Sequence, residues 1–299
     1  MSAEIFHDDQ AFLRVWPAPA KLNLFLHVTG RRADGYHFLQ TLFRLIDLED
    51  RLAFSLREDG EVRVESDLPG VSLEDHLCFR AARLLQEVTG VRRGVSIRLT
   101  KNLPLGGGLG GGSSDAATTL LALNALWQTG LSRSRLREIA LPLGADVPFF
   151  LFGENAFAEG VGERLRAVSL PERWYFLVFP PVCVPTASIF RAPELPRRTP
   201  PVRAEDWFPG FGRNDLEAAV VARYPPVAEA LRWLGETARA LEAEGCGNII
   251  CRMSGSGATV FAECAEELTA RAFLARLPGD WRGGVARGLT RHPLFSLAS

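Results

Sequence analysis

A glycine-rich segment is the part of this sequence whose residue types point most directly to chemistry. Six glycines fall within positions 106–112, and an amphipathic run follows at 116–128. Glycines lack the Cβ atoms that would keep a ligand away from the backbone. A helix that begins directly afterwards presents unpaired N–H groups and the positive end of its dipole. The segment therefore predicts an anion site, with phosphate as the usual anion, and then a helix over 116–128.

The glycine pattern alone fits several kinds of phosphate-binding loop. Gly106, Gly108 and Gly111 match the G-x-G-x-x-G dinucleotide fingerprint. However, a Rossmann loop follows its strand at once, whereas residues 102–104 intervene here and no acidic residue closes a second strand about twenty positions later. The sequence also lacks the lysine of a Walker A loop and the downstream motifs of a protein kinase. A turn without any ligand is the remaining alternative.

Three polar residues, Ser113, Ser114 and Asp115, stand at the expected start of the helix. One of them is expected to cap it, and the serine hydroxyls could also contact phosphate or Mg²⁺. A carboxylate beside a polyphosphate repels it unless a cation lies between them. Asp115 is therefore expected to cap the helix or to lie in the shell of a metal ion.

Three further polar residues allow either chemistry or an ordinary structural role. Asp146 shortly precedes Pro148, which suits the first turn of a helix, so its carboxylate either caps that helix or is free to act as a base. Lys21 begins a strongly apolar strand, where a lysine usually extends its ammonium to water. Asn23 lies in the same strand and needs hydrogen-bond partners. The residues alone leave these alternatives open.

Composition narrows the class of protein. The chain has 299 residues, of which 47% are hydrophobic and 23% charged, and its formal net charge is −1. This length allows one large or two medium domains, and the charge gives no overall attraction to nucleic acid or an anionic membrane. We expect neither a signal peptide nor a membrane span. The five cysteines, without a C-x-x-C motif, are expected to be free thiols of a cytoplasmic protein.

Periodicity and turn residues predict strands and helices in both halves of the chain. Strands are expected at 22–28, 52–56, 62–65, 95–99 and 174–179, and after a glycine turn within 253–262. Helices are expected at 77–89 (ended by Gly90), 132–139 (with Ser132 as N-cap), 216–221, 227–242 and 266–277. The first fifteen residues are expected to form a poorly ordered extension. A boundary near 162–172 predicts domains at 1–165 and 166–299.

Three motifs, in order, resemble those of the GHMP small-molecule kinases, the superfamily of galactokinase, homoserine kinase and mevalonate kinase. The first is Pro-Ala-Lys-Leu-Asn-Leu-Phe-Leu at 19–26, the second is the glycine loop, and the third is Met-Ser-Gly-Ser-Gly-Ala-Thr at 253–259. The resemblance implies an α+β fold of two domains with the active site between them. The N-terminal domain would be ribosomal-protein-S5-domain-2-like and bind ATP, and the C-terminal domain would be ferredoxin-like.

Further motifs narrow the resemblance. The stretches at 32–37, 39–43, 143–148 and 158–163 are similar to those of the family that phosphorylates 4-diphosphocytidyl-2-C-methyl-D-erythritol. The implied reaction is ATP-dependent phosphorylation of the 2-hydroxyl of that compound, in the non-mevalonate route to isoprenoid precursors. His76 stands where the family pattern often has Asn and is assigned no role.

The resemblance assigns roles to matching positions. Asp146 would be the catalytic base, and Lys21 would keep its carboxylate ionised and hold the nucleophilic oxygen in place. The nucleotide would be bound by Pro104, Leu105, Gly106, Gly107, Gly108, Leu109, Gly110, Gly111, Gly112, Ser113 and Ser114.

A cytosine must be gripped by stacking and by hydrogen bonds to its edge. The resemblance implies that Tyr36 and Phe190 sandwich the base and that His37 hydrogen-bonds it. Asn23 and Thr186 would also contact the substrate.

The resemblance further implies ATP and Mg²⁺ as cofactors, with no protein metal ligands readable from the sequence. We expect a cytoplasmic monomer or homodimer that binds neither nucleic acid nor membrane.

Another superfamily kinase, such as a homoserine kinase, is the nearest alternative function, and the Tyr36-His37 turn argues against it. A dinucleotide-binding oxidoreductase would bind nicotinamide without ATP turnover. A regulator without catalysis is disfavoured because Lys21 and Asp146 are both present.

Overall fold

The computed structural model describes residues 12, 14–66, 68 and 70–298. The expected extension over the first fifteen residues falls largely outside this part, and the first strand begins at Val15. The elements, in chain order, are β1 (Val15–Arg31), β2 (His37–Arg57), β3 (Val62–Ser66), α1 (Leu77–Thr89), β4 (Gly94–Thr100), α2 (Gly111–Leu126), α3 (Arg133–Ala140), α4 (Val147–Phe152), β5 (Ala156–Glu159), β6 (Arg164–Ala167), β7 (Trp174–Val178), α5 (Thr186–Phe190), α6 (Glu217–Arg223), α7 (Pro225–Ala243), β8 (Ile250–Met253), β9 (Val260–Cys264), α8 (Glu267–Arg276) and β10 (Gly283–Arg287).

The first half of the chain builds a six-stranded sheet. Its order is β3-β4-β2-β5-β6, with β1 paired to β2 in a long antiparallel hairpin. β3 and β4 run parallel, and the other pairs are antiparallel. Helices α1 to α4 share one apolar core with strands of this sheet. That core fixes the first residues of β1, the helix α2 that follows the glycine loop and the start of α4 relative to one another.

The second half builds a four-stranded antiparallel sheet with the order β10-β7-β9-β8. Helices α6, α7 and α8 pack with it in a second core. A third cluster joins Leu22 of β1 to Leu177 of β7 and Phe261 of β9, so the two sheets share buried apolar surface. The boundary at 165/166 stays a prediction.

Arg44 of β2 is fully buried where the two sheets meet. Leu289 N donates to Leu45 O at 2.8 Å, and Gly288 N donates to Arg173 O at 2.9 Å. A Cβ atom on Gly288 would overlap the Arg44 guanidinium. The absence of a side chain at Gly288 therefore makes room for a buried cation at this junction.

Most predicted elements are confirmed. Helix α1 has the expected bounds, and Gly90 ends it in a left-handed conformation. Ser132 caps α3 by accepting a hydrogen bond from Arg135 N. His76, for which no role was predicted, caps α1 because its Nδ1 accepts from Cys78 N at 3.2 Å.

Helix α2 differs from its prediction in its start and in its environment. It begins at Gly111 rather than 116 and ends at Leu126 rather than 128. It is also not amphipathic, since every residue from 114 to 124 is buried. Packing on all sides stabilises a helix that glycine propensity alone would disfavour at its first turn.

Candidate active site

The glycine loop forms a backbone cradle whose shape depends on left-handed glycines. Gly106, Gly108 and Gly110 have φ angles of 63°, 75° and 71°. A positive φ at every second residue turns successive N–H groups toward one concave side, which is the geometry that binds anions. The unpaired N–H groups of the first turn of α2 follow directly.

The carbonyl groups of the same loop are bound by the surrounding protein. Gly107 O accepts from Thr259 N at 3.1 Å, Gly108 O from Ser254 Oγ at 3.0 Å, and Leu109 O from Lys21 N at 3.0 Å. These bonds anchor the loop to β1 on one side and to the third glycine motif on the other. The carbonyls are thereby occupied, which leaves the N–H groups of the loop for a ligand.

Close packing explains why several positions must be glycine. A Cβ atom at Gly108 would overlap the carbonyl oxygen of Ser254, and one at Gly106 would overlap the Sγ atom of the exposed Cys183. A Cβ at Gly110 would lie 3.2 Å from Lys21 Cε. The loop therefore approaches its neighbours through bare backbone.

The prediction that Ser113, Ser114 or Asp115 caps α2 is wrong. The cap is Gly110, and no side chain bonds to the end of the helix. Because the helix begins earlier than predicted, the three residues lie within its first turns. Ser114 Oγ instead donates to Pro19 O at 2.7 Å, and Asp115 forms an ion pair described below.

Lys21 and Asp146 form the ion pair that the resemblance implied, with Nζ and Oδ2 3.6 Å apart. The lysine side chain is 5% exposed and the aspartate side chain 35%. Asp146 occupies the N-cap position of α4, but its side chain makes no capping bond. The capping alternative is therefore wrong, and the carboxylate is free of the helix.

Lys21 and Asn23 lie two positions apart on β1, so both side chains point to the same face of the strand. Lys21 Nζ donates to Asn23 Oδ1 at 2.6 Å, and Asn23 Nδ2 donates to Thr41 Oγ1 at 2.8 Å. The pairing of β1 with β2 is irregular between Asn23 and Leu26. Irregularities of this kind re-aim side chains beside active sites. The buried amide thus has the partners that the sequence required.

The expected substrate residues are only partly assembled. The rings of His37 and Phe190 stack with centroids 5.2 Å apart and an interplanar angle of 25°. Tyr36 is 66% exposed and stands in the turn before β2. Thr186 Oγ1 lies 2.7 Å from Ser256 Oγ of the third glycine motif. Burial lowers the pKa of His37, which favours a neutral ring that can accept as well as donate a hydrogen bond.

A cleft of about 430 Å³ collects most of the predicted residues. Lys21, Asn23, Asp146, Thr186 and Phe190 line it, together with residues 104–113. Ser114, Tyr36 and His37 are not among its lining residues. Ser114 is fully buried, while His37 reaches the cleft wall through its stack on Phe190.

Sequence reasoning missed a buried ionic cluster beneath the glycine loop. Lys101 Nζ pairs with Asp115 Oδ2 at 2.9 Å and also with Asp50 Oδ2. Asp50 Oδ1 accepts from Asn102 N at 2.7 Å and from Leu103 N at 2.9 Å. A lysine directly before a glycine loop was the available signal, but its partners lie far away in sequence.

Asn214 was also missed. Its Nδ2 donates to Met253 O at 2.9 Å and to Gly255 O at 2.7 Å. These bonds hold the third glycine motif, which in turn contacts the glycine loop. The sequence offered no periodicity or spacing that would single out this residue.

Within the described residues, no helix is long and apolar enough to cross a membrane. The same part of the chain contains no group of three or more His, Cys, Asp or Glu side chains that could hold a metal ion. The five cysteines are free, as expected.

Comparisons with known proteins identify the family. Residues 76–154 match the GHMP kinases N terminal domain. The chain is 54% identical to the 4-diphosphocytidyl-2-C-methyl-D-erythritol kinase of Dechloromonas aromatica, with 95% of this chain and 100% of that protein covered. It is 56% identical to the kinase of the same name from Thiobacillus denitrificans, with 94% and 98% covered.

Comparison with solved structures supports the same family assignment. A crystal structure of 4-(cytidine 5'-diphospho)-2C-methyl-D-erythritol kinase superposes with a TM-score of 0.77 at 37% identity, covering 92% of this chain and 99% of that one. The homoserine kinase from Cytophaga hutchinsonii gives a TM-score of 0.62 at 18% identity over 97% and 98% of the two chains, which shows the fold alone. The expected α+β GHMP kinase fold is confirmed, and the oxidoreductase alternative is excluded. The chain belongs to the 4-diphosphocytidyl-2-C-methyl-D-erythritol kinase family of the GHMP kinases and is an ATP-dependent small-molecule kinase.

Proposed function

We propose that this kinase transfers the γ-phosphate of ATP to the 2-hydroxyl of 4-diphosphocytidyl-2-C-methyl-D-erythritol, a step of the non-mevalonate route to isoprenoid precursors. The observation that carries the proposal is the Lys21–Asp146 pair, 3.6 Å apart, in the same cleft as the glycine cradle. The substrate is supported by the names of relatives that are 54% and 56% identical over nearly their whole length.

The cradle fits a triphosphate. Three of its carbonyls, those of residues 107–109, are bound by neighbouring protein, while its N–H groups have no hydrogen-bond partner among the described residues. The glycines let the loop pack against these neighbours through bare backbone. Residues 104–114 would bind the nucleotide through this backbone and the hydroxyl of Ser113. Mg²⁺ would enter with ATP, held chiefly by phosphate oxygens and water, because Mg²⁺ keeps several waters and needs few protein ligands. When bound, it would neutralise charge on the transferring phosphoryl group.

Asp146 would accept the proton of the substrate hydroxyl as that oxygen attacks phosphorus. Its side chain is 35% exposed and faces the cleft, so an incoming hydroxyl can reach it. Lys21, with its Nζ 3.6 Å from the carboxylate, would hold the nucleophilic oxygen in place. Asn23 and Thr41 fix the lysine, because the chain of hydrogen bonds from its Nζ leads to both of them.

The cytidine end would bind against the stacked pair of His37 and Phe190. His37 and Phe190 already lie face to face, and Tyr36 projects from the adjacent turn. We propose that Tyr36 and Phe190 enclose the cytosine, that His37 hydrogen-bonds its edge, and that Asn23 and Thr186 contact the remainder of the substrate.

We also propose domains at 1–165 and 166–299 and a cytoplasmic monomer or homodimer. The two sheets support the division. The five free thiols fit a reducing compartment.

The proposal is tested by incubating the purified protein with ATP, Mg²⁺ and 4-diphosphocytidyl-2-C-methyl-D-erythritol and measuring ADP release. We expect ADP and a monophosphorylated product in equal amounts. Release of ADP with homoserine or mevalonate, but not with the cytidylyl compound, would contradict the substrate while leaving the kinase family intact.

A further inference from the structure

Lysine is scarce in this chain. Among its 34 Lys and Arg residues, only Lys21 and Lys101 are lysines. Both line the same cleft. An ammonium is a compact charge with three separate donors, whereas a guanidinium is a planar fork. The second lysine therefore stands where a compact cation is needed.

The contacts of Lys101 join the two ends of the glycine loop. Its ammonium lies between Asp50 and Asp115, and the three side chains are only 12%, 0% and 3% exposed. Asp50 also binds the backbone N–H groups of Asn102 and Leu103, where the loop begins. Asp115 lies in the second turn of α2, after the loop has ended. One ammonium thus connects the entry of the loop to the helix that follows it.

The charges of Asp50 and Asp115 explain why the cluster needs the Lys101 ammonium. Two buried carboxylates face one cation, so Lys101 can balance only one of the two negative charges when both are ionised. The pKa of Asp115 is raised to about 7, because burial and the Asp50 charge raise it by more than the Lys101 charge lowers it. Asp115 Oδ1 has no hydrogen-bond partner among the described residues. Without Lys101, two like charges would face each other in a region of low dielectric.

We propose that Lys101 is a positioning residue for the nucleotide: by bridging Asp50 and Asp115 it fixes both ends of the glycine loop, so that the loop N–H groups converge on the phosphates. This role rests on the proposed function for the identity of the nucleotide. It acts through the loop and requires no contact between Lys101 and ATP. A loosened cradle would weaken nucleotide binding, while the Lys21–Asp146 pair, held by β1 and α4, would keep its geometry.

The test variant combines Lys101→Met with Asp115→Asn. This double variant keeps the net charge of the cluster, because one cation and one anion are removed together. It deletes the bridge but leaves Asp50 bonded to Asn102 and Leu103. Lys101→Met alone would leave two unpaired carboxylates and could fail to fold, so the double variant keeps the proposal testable. Arg133→Met is the control, since Arg133 is a partly buried cation that binds backbone carbonyls at Leu151 and Ala298, away from the cleft.

Affinity for ADP and for a non-hydrolysable ATP analogue is measured by titration calorimetry, and KM and kcat by ADP release. We expect the double variant to bind the nucleotides at least about tenfold more weakly and to have a KM for ATP raised by at least about tenfold, with kcat and the KM for the cytidylyl substrate changed by less than about threefold. Arg133→Met is expected to leave nucleotide affinity at the wild-type value. Wild-type nucleotide affinity in a folded double variant, or an equal loss of affinity for both substrates, would overturn the proposal. Because nucleotide binding is read directly, failure of the cytidylyl assay would count against the proposed substrate and not against Lys101.

Discussion

At the scale of single residues, the site depends on a buried cation, Lys21, beside a solvent-accessible carboxylate, Asp146. Lys21 is nearly buried and has Asn23 as a fixed partner, while Asp146 opens to the cleft. This arrangement suits a base that must meet an incoming hydroxyl and a lysine that must not move. The two roles can be separated by substitution.

Asp146→Asn is expected to reduce kcat by about 10²–10⁴-fold, because the amide cannot take the proton of the hydroxyl. KM for both substrates should change little, since the side chain keeps its size. Steady-state ADP release measures both quantities. Asp59→Asn, which alters an exposed carboxylate paired with Arg57, serves as the control, and unchanged turnover in Asp146→Asn would remove Asp146 from the mechanism.

Phe190→Ala is expected to raise KM for the cytidylyl substrate by about tenfold, because stacking on a base contributes about 1–3 kcal/mol. KM for ATP should stay at its wild-type value, since Phe190 stacks on His37 and is not part of the glycine loop. Phe208→Ala removes an aromatic ring that is 59% exposed and provides the matched comparison. Equal changes for both substrates would argue for a packing role of Phe190 instead.

Sequence predicted Lys21, Asp146 and the glycine loop because each lies in a recognisable local motif. Asp50 and Lys101 escaped prediction although they lie at the base of the same loop. Their importance comes from burial and from pairing between residues about fifty positions apart, which no local pattern records. Arg44 escaped for the same reason, since its burial is produced by the second sheet.

At the scale of elements, the start of α2 shows where propensity fails. Glycine disfavours helix, so the sequence predicted that the helix would begin after the glycines. Tertiary packing instead extends it back to Gly111, so that Ser113 and Ser114 lie in its first turn. Elements with ordinary caps, such as α1 and α3, were predicted closely because their end signals are local.

The segment after β10 carries a second element-scale consequence. His292 is buried, its N donates to Gly153 O at 2.8 Å, and its Nδ1 accepts from Leu294 N at 3.0 Å. Burial, followed by the charge of Arg133, lowers the pKa of His292 from 6.5 to about 3. The folded state therefore keeps this ring neutral over a pH range in which the unfolded chain protonates it.

We predict that the free energy of unfolding falls as the pH decreases from about 6.5 toward 3, by up to about 1.4 kcal/mol per pH unit from this group. The sign follows because the unfolded chain binds the proton and the folded chain does not. His292→Asn removes the titration and keeps an acceptor for Leu294 N. Urea unfolding at pH 7 and pH 5 should show a smaller difference for the variant, and an identical difference would contradict the assignment.

At the scale of the whole molecule, the two sheets are joined at a point with little room. The guanidinium of Arg44 lies against the backbone of Gly288, and a Cβ atom on Gly288 would force the guanidinium to move. The buried cluster of Leu22, Leu177 and Phe261 continues the same contact. The relative position of the sheets, and hence the width of the cleft between them, depends on this junction.

Gly288→Ala is expected to lower the free energy of unfolding by about 1–3 kcal/mol, because the new Cβ would displace Arg44. Gly284→Ala is the matched control in β10, the strand that directly precedes Gly288, since no atom lies within 4 Å of a Cβ built there. It should change stability by less than about 0.5 kcal/mol. Urea unfolding of both variants gives the comparison. Equal free energies of unfolding for the two variants would show that Arg44 can move aside without loss of stability, which would contradict the prediction.

The close approach of Cys183 to Gly106 has a practical consequence. Cys183 is exposed, whereas Cys78 and Cys264 are buried and the other two thiols are half-buried. A maleimide dye should therefore attach first at the mouth of the cradle, without any engineered cysteine. Since its sulfur stands where a side chain on Gly106 would be, the speed of labelling becomes a gauge of whether the loop is filled, and a bound fluorophore would report the arrival and departure of nucleotide in real time.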